Sequence, residues 1–136
     1  INKDGQILIK NLQNYVKKYN TSYHSVDPFW TRKSDQQVLA ALLVSLNGKL
    51  DVIRGRNMEV SLPTGSLCAE RAAISAALGK YSKIKRDEMK AIAVVDPKFK
   101  NVGIEPCGVC QEWLQKIQEE STQFKIYVFL NKEMTY

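Results

Sequence analysis

The stretch VLAALLVSLNGKLDVI, residues 38–53, decides the fold. Its first part, Val38 to Leu46, is almost entirely apolar and has the length of a buried strand. The dipeptide Asn47-Gly48 that follows is a strong signal for a type I′ turn between two antiparallel strands. Leu50 to Ile53 then predicts the returning strand. The stretch therefore predicts a β-hairpin whose first strand is buried.

Further helices and strands are predicted on both sides of this hairpin. Gly5 to Tyr19 has apolar residues at helical spacing, and an irregular polar stretch from Asn20 to Gln37 separates it from the hairpin. The later elements are a helix from Cys68 to Leu78 ended by Gly79, a strand from Ile92 to Val95, a helix from Cys107 with Cys110, Trp113, Leu114 and Ile117 on one face, and a strand from Phe124 to Leu130. This order predicts the α/β class, with a mixed central β-sheet and helices on both faces.

Length and composition predict a single globular domain, residues 1–136. Apolar residues make up 44% and charged residues 25%, which excludes a disordered chain, collagen and a coiled coil. No apolar run reaches the ~20 residues of a membrane span, so no membrane partner is expected. Three cysteines are an odd number, which favours a reduced compartment, the cytoplasm, over a disulfide framework. The start at Ile1 leaves a removed targeting segment as an alternative.

Two fragments contain every cysteine of the chain: Cys68-Ala69-Glu70 and Pro106-Cys107-Gly108-Val109-Cys110. This pairing is the signature of zinc deaminases, including the variant with three cysteine ligands. Each fragment opens a predicted helix, whose N-terminus favours thiolates over thiols. Three protein ligands leave the fourth tetrahedral position open, as catalytic zinc requires. We therefore predict one Zn²⁺ per chain, bound by Cys68, Cys107 and Cys110.

Two charged residues that follow Cys68 have expected roles in catalysis. Glu70 is placed to lie beside the reacting water without binding the metal, which is the position of a proton shuttle. Zinc with three thiolates has a net negative charge, and Arg71 is the candidate that balances it. A structural zinc would normally have a fourth Cys or His. The single histidine, His24, lies in the irregular stretch and is expected at the surface or near the substrate.

The form Cys68-Ala69-Glu70-Arg71 resembles the cytidine deaminase family, specifically its short enzymes that act on free nucleosides. Gly55-Arg56-Asn57-Met58-Glu59 looks like the G-x-N-x-E segment of that family, and Val38-Leu39-Ala40-Ala41-Leu42 looks like its V-G-A-A-L strand. The resemblance implies a three-layer sandwich and hydrolytic deamination of cytidine or deoxycytidine to uridine or deoxyuridine. In that reaction a zinc-bound hydroxide attacks C4 while Glu70 moves the protons.

The resemblance also implies how the substrate is bound. Asn57 and Glu59 are expected to hold the ribose 3′-hydroxyl, and Ala69 is a third substrate-binding residue. The expected partner is a small pyrimidine nucleoside. Short deaminases of this branch are typically homotetramers, so a homo-oligomer is expected, with a dimer as the alternative.

One wall of the pocket departs from the pattern of this family. The aromatic residue that normally packs on the pyrimidine, just before the first strand, is Gln36 here. We expect Phe29 or Trp30 to supply the aromatic face instead, and the alternative is that both pack in the core. After Cys110, the Arg-Gln of the family is replaced by Gln111-Glu112, which removes one positive charge near the predicted metal.

Three other functions compete with cytidine deamination. The altered wall would also suit another aminated nucleoside, such as a nucleoside antibiotic. The net charge of +6 and the run Lys80-Tyr81-Ser82-Lys83-Ile84-Lys85-Arg86 would suit a polynucleotide deaminase or a nucleic-acid-binding module. Such a run is more often a solvated loop, so nucleic acid is not the expected partner. A fold retained only for binding would have no use for Glu70.

Overall fold

The computed structural model describes residues 2–22, 26–61, 65–98 and 108–129. The helices in these ranges are α1 (Lys3–Thr21), α2 (Ala69–Lys80) and α3 (Gly108–Gln118), and 3-10 turns cover Pro28–Thr31 and Arg86–Glu88. The strands are β1 (Leu39–Leu46), β2 (Lys49–Arg56), β3 (Met58–Glu59), β4 (Ser66–Leu67), β5 (Met89–Val95) and β6 (Lys125–Val128). None of the described helices has the length and apolar character that crossing a membrane requires.

Strand β1 lies inside a four-stranded sheet with the order β2-β1-β5-β6. It pairs antiparallel with β2 and β5, whereas β5 and β6 are parallel. The sheet is therefore mixed, as predicted. Its hairpin turn is also as predicted, because Asn47 and Gly48 both have positive φ, 53° and 80°, which a type I′ turn requires. A separate ribbon of β3 and β4, which the sequence did not predict, follows β2.

Helices cover both faces of this sheet and give it two apolar cores. Alternate residues of β1 (39, 41 and 43) pack with the buried side of α1. The residues between them (40, 42 and 44) pack with α2 and α3 on the other face. Because β1 is buried on both faces, its sequence is apolar without alternation. The predicted fold class, a mixed sheet between layers of helices, is confirmed.

Strand β2 and helix α2 approach each other closely at Gly55. A Cβ atom there would lie 2.4 Å from the backbone nitrogen of Ala73 and 2.7 Å from the carbonyl oxygen of Ala69. Only glycine allows the first turns of α2 to rest on the backbone of β2 at this distance. Since β2 leads directly into Asn57 and β3, the contact places the start of α2 beside the residues expected to hold the sugar.

Two details of the predicted helices are wrong. Gly79 does not end α2, which continues to Lys80, and the N–H of Tyr81 still donates to the carbonyl of Ala77 at 2.8 Å. No atom lies within 4 Å of a Cβ built at Gly79, and its φ is not in the left-handed region. Its local geometry therefore does not stop the helix there. Trp113 does not share the buried face of α3 with Cys110, since it is 41% exposed.

Several predicted features lie outside the described residues. They are His24, Pro106, Cys107 and Leu130. The last strand is described as Lys125–Val128, within the predicted range, and α3 is described from Gly108 onward.

Gly55→Ala is expected to lower the free energy of unfolding by at least about 1–3 kcal/mol, because the added methyl group must push α2 away from β2. Gly79→Ala is the matched control, since nothing lies within 4 Å of the new Cβ. It is expected to raise stability by about 0.5–1 kcal/mol, as alanine replaces glycine in a helix. Chemical denaturation measures both changes. Equal stability of the two variants would show that the close contact at Gly55 does not exist.

Candidate active site

A cavity of about 290 Å³ opens where α2 begins, next to the ribbon of β3 and β4. It is lined by Ser34, Gln36, Val38, Asn57, Met58, Glu59, Ser66, Leu67, Cys68, Ala69 and Glu70. The fold thus brings together one predicted metal ligand, the predicted proton shuttle and the predicted substrate-binding residues Asn57, Glu59 and Ala69. Their roles stay predictions, but their assembly in one cavity is what those roles require.

Cys68 and Cys110 come together at the starts of two helices. Cys68 is the N-cap residue of α2, and Cys110 lies in the first turn of α3, where it is fully buried. The guanidinium of Arg71 joins them, because its Nη2 donates to Cys68 Sγ at 3.4 Å and the side chain also hydrogen-bonds to Cys110. Neither sulfur is in a disulfide. The guanidinium of Arg71 therefore contacts two of the three predicted metal ligands.

The donor set of this cluster fits zinc. Thiolates are preferred zinc ligands, and the helix starts that carry Cys68 and Cys110 favour the thiolate form. Cys107, the third predicted ligand, lies outside the described residues. Within the described ranges, accordingly, no group of three or more His, Cys, Asp or Glu side chains is placed to hold a metal. The three-cysteine zinc site stays a prediction, with two of its members in contact with the same guanidinium.

Glu70 presents a buried carboxyl group to the cavity. It is only 4% exposed, and this burial raises its pKa above the ordinary value for glutamate. The nearby sulfur of Cys68 raises the pKa further, while a hydrogen bond from the residue's own backbone N–H, the charge of Arg71 and a hydrogen bond with Cys110 lower it. A carboxyl group whose pKa is raised exchanges protons closer to neutral pH than an exposed one does. This is the property that a proton shuttle needs.

Arg71 has the position and the charge expected of a charge-balancing residue. Its hydrogen bonds to the two sulfurs raise the pKa of the guanidinium, which therefore stays cationic. The ring of Trp113 lies 5.9 Å from the guanidinium carbon, within reach of a cation–π interaction. Trp113 is thus a neighbour of Arg71 that the sequence did not reveal. The sequence signal for this contact was the position of Trp113, about one helical turn after Cys110.

Asn57 and Glu59 lie in the cavity with different partners. Asn57 is buried, and its side chain accepts from the N–H of Val38 at 2.9 Å and donates to the carbonyl of Gln36 at 2.8 Å. Glu59 is half-buried and accepts a hydrogen bond of 2.5 Å from the hydroxyl of Ser34. Asn57 therefore holds one wall of the cavity in place, a structural role that the sequence did not reveal. Ser34 is an additional polar group at the predicted sugar site.

Phe29 and Trp30 are not among the described residues that line this cavity. They are 44% and 45% exposed, so the alternative prediction, that both pack in the core, is wrong. Asp27 and Pro28 start the 3-10 turn that carries them, and the residue of this turn that points into the protein is Thr31. The two rings instead pack edge to face on the surface, with centroids 5.2 Å apart.

The fold and this site define a deaminase, and comparison with known proteins identifies its family. The chain matches the family model of the LmjF365940 subfamily of CDD/CDA-like deaminases over residues 8–103 and 96–135. It is similar to the solved cytidine deaminase of Burkholderia pseudomallei, with 30% identity over 73% of this chain and 71% of that one and a TM-score of 0.58. It is also similar to the cytidine deaminase of Mycobacterium leprae, with 28% identity over 72% and 73% of the two chains and a TM-score of 0.54. No curated protein sequence matches the chain. The chain belongs to the cytidine deaminase family.

Asn57→Ala is expected to destabilise the protein by about 1–3 kcal/mol, because it leaves a backbone donor at Val38 and an acceptor at Gln36 without their buried partner. Asn20→Ala is the control, since the exposed Asn20 makes a single bond, from Nδ2 to the carbonyl of Pro97 at 2.9 Å. Thermal unfolding compares the two variants. A smaller loss for Asn57→Ala than for Asn20→Ala would contradict the structural role of Asn57.

Proposed function

We propose that this deaminase hydrolyses cytidine or deoxycytidine to uridine or deoxyuridine and ammonia in a zinc-dependent reaction. The observation that carries the proposal is the single cavity in which Glu70 and Cys68 lie beside Asn57 and Glu59. The similar solved structures are cytidine deaminases, which supports the same substrate class for this chain. A soluble pyrimidine nucleoside is therefore the proposed partner.

Cys68, Cys107 and Cys110 would hold the zinc ion. When bound there, zinc supplies the Lewis acidity that makes water a nucleophile at neutral pH. Arg71 contacts both described sulfurs and offsets their negative charge. This offset matters because accumulated thiolate charge would weaken the electrophilic character of the site.

Glu70 carries the proton transfers of the reaction. Its carboxylate takes one proton from the attacking water and delivers it to N3 of the pyrimidine; it then takes the second proton of the same oxygen, once that oxygen is bonded to C4, and delivers it to the amino group that departs as ammonia. Burial supports this role, because it raises the pKa of Glu70 and so brings its proton exchange closer to neutral pH than that of an exposed carboxyl group. The buried Ala69 beside it keeps the cavity open at the start of α2.

The sugar is proposed to bind at Glu59. The carboxylate accepts from Ser34 and keeps further lone pairs with which it can accept from a sugar hydroxyl. Asn57 has one amide N–H beyond its bond to Gln36, and this hydrogen is available for the same hydroxyl. Glu59 and Asn57 would thus both bind the sugar hydroxyl. Asn57 also fixes the cavity wall through its bonds to Val38 and Gln36.

A second substrate, another aminated nucleoside, is favoured by one observation. Gln36, a polar residue, lines the cavity at the position where the family has an aromatic ring. An amide can hydrogen-bond to a polar substituent on the base, which an aromatic ring does not do. Turnover of cytidine compared with that of base-modified cytidines decides between the two.

Purified protein is expected to contain one zinc ion per chain, and Cys110→Ser is expected to lose most of it because the buried sulfur is a ligand. Glu70→Gln is the control, since this side chain is not a ligand and its zinc content is expected to equal that of the wild type. Metal analysis of protein prepared without chelators measures all three. A wild type without zinc, or full zinc in Cys110→Ser, contradicts the proposed site.

Glu70→Gln is expected to fold and to bind zinc but to lose about 10²–10⁴-fold or more in kcat, because glutamine has no titratable proton to carry. Glu112→Gln is the matched control: it removes a carboxylate from α3 without touching the described lining of the cavity. Steady-state turnover of cytidine compares the two variants. Near-normal turnover by zinc-loaded Glu70→Gln would mean that the mechanism is wrong.

A further inference from the structure

Ser34 contacts the carboxylate that is proposed to bind the sugar, and the proposed reaction gives it no role of its own. It lines the cavity that contains Glu70, and its hydroxyl donates to Glu59 Oε1 at 2.5 Å. A serine hydroxyl has one donor and two acceptor positions. Glu59 uses the donor, and the N–H of Gln36 occupies one acceptor position at 3.2 Å. One acceptor position of Ser34 therefore remains for a ligand.

The segment that carries Ser34 is fixed to the rest of the fold. Thr31 is buried, and its carbonyl accepts from the N–H of Asp35 at 2.7 Å. The Nε of Arg32 donates to the carbonyl of Val60, directly after β3, at 2.7 Å. Asp35 has a φ of 58°, a left-handed backbone that aspartate adopts more readily than most residues. These contacts hold the Ser34 hydroxyl beside the start of the sugar site before a substrate binds.

The chemistry of the sugar decides which of its groups can reach Ser34. In the proposed function, the 3′-hydroxyl binds Glu59 and Asn57. The 2′-hydroxyl of ribose is on the neighbouring carbon and on the same face of the ring, whereas the substituent on C4′ is on the opposite face. The 2′-hydroxyl is therefore the sugar group that comes nearest to the partner of Glu59. Ser34 is exposed while Asn57 is buried, so a second hydroxyl has room on the side of Ser34.

We propose that Ser34 accepts a hydrogen bond from the 2′-hydroxyl of the substrate and thereby makes the enzyme prefer ribonucleosides to 2′-deoxyribonucleosides. This inference rests on the proposed function, because it places a second sugar hydroxyl beside the one at Glu59. With ribose bound, all three hydrogen-bonding positions of Ser34 are occupied. With deoxyribose bound, water takes the third position, because Ser34 is exposed. The preference is therefore moderate, and deoxycytidine remains a substrate.

Cytidine, 2′-deoxycytidine and the arabinose epimer of cytidine are the three probes that test this. The kcat/KM for cytidine is expected to be about three- to tenfold above that for 2′-deoxycytidine, which is the net contribution of one hydrogen bond. The arabinose epimer has its 2′-hydroxyl on the opposite face of the ring, so it is expected to show no gain over 2′-deoxycytidine. Dissociation constants measured with Glu70→Gln are expected to follow the same order, independently of turnover.

Variants of Ser34 are compared by the ratio of kcat/KM for cytidine to kcat/KM for 2′-deoxycytidine. The ratio is decisive because loss of the bond to Glu59 can lower both values alike. Ser34→Ala is expected to reduce the ratio to about one, whereas Ser34→Thr, which keeps the hydroxyl, retains most of it. Ser66→Ala is the matched control: Ser66 also lines the cavity, but its hydroxyl donates to the carbonyl of Ser61 at 3.0 Å, so the ratio is expected to stay unchanged.

Equal kcat/KM for cytidine and 2′-deoxycytidine in the wild type overturns this inference and leaves the proposed function intact. An equal loss on both substrates in Ser34→Ala, with the ratio unchanged, means that Ser34 only positions Glu59 and that the inference is wrong. A gain for the arabinose epimer as large as that for cytidine also contradicts it. If the folded, zinc-loaded wild type neither binds nor deaminates any of the three nucleosides, the proposed function fails and the inference fails with it.

Discussion

The contact between Gly55 and the backbone of α2 is the constraint on which the rest of the site depends. It sets the distance between β2 and the first turns of α2, and the chain next to each of these elements lines the cavity. On one side, β2 continues into Asn57 and Glu59. On the other, α2 starts with Cys68 and Glu70. One missing side chain therefore determines how far the segment with Asn57 and Glu59 lies from the carboxyl group of Glu70.

Charge is the second constraint, because the site concentrates anionic groups in a buried place. Cys68, Cys110 and Glu70 lie close together, and Arg71 is in contact with both sulfurs. Burial of a carboxyl group without compensation would keep it protonated, whereas full compensation would keep it ionised. For Glu70 the net effect is a raised pKa: burial and Cys68 raise it, and the residue's own backbone N–H, Arg71 and Cys110 only partly offset them. Trp113 packs over Arg71 and so contributes to this balance from the surface.

The sequence predicted those features that depend on local chemistry. The hairpin followed from an apolar strand and the turn residues Asn47-Gly48, and the cysteine fragments pointed to the site through their spacing alone. The sequence was less informative about features that depend on tertiary contacts. Glycine is typical of a residue that ends a helix, but α2 continues through Gly79 to Lys80. The second role of Asn57 was hidden for the same reason, because its backbone partners lie about twenty residues earlier in the chain.

The way in which Asn57 holds Gln36 has a consequence for how this site can change in evolution. The bond is to the backbone carbonyl of Gln36, which every amino acid has, and residue 36 lines the cavity. Position 36 can therefore exchange one side chain for another, polar or aromatic, without loss of this hydrogen bond. The lining of the cavity is thus open to variation at a position where the cost in folding is small, and such variation requires no new scaffold.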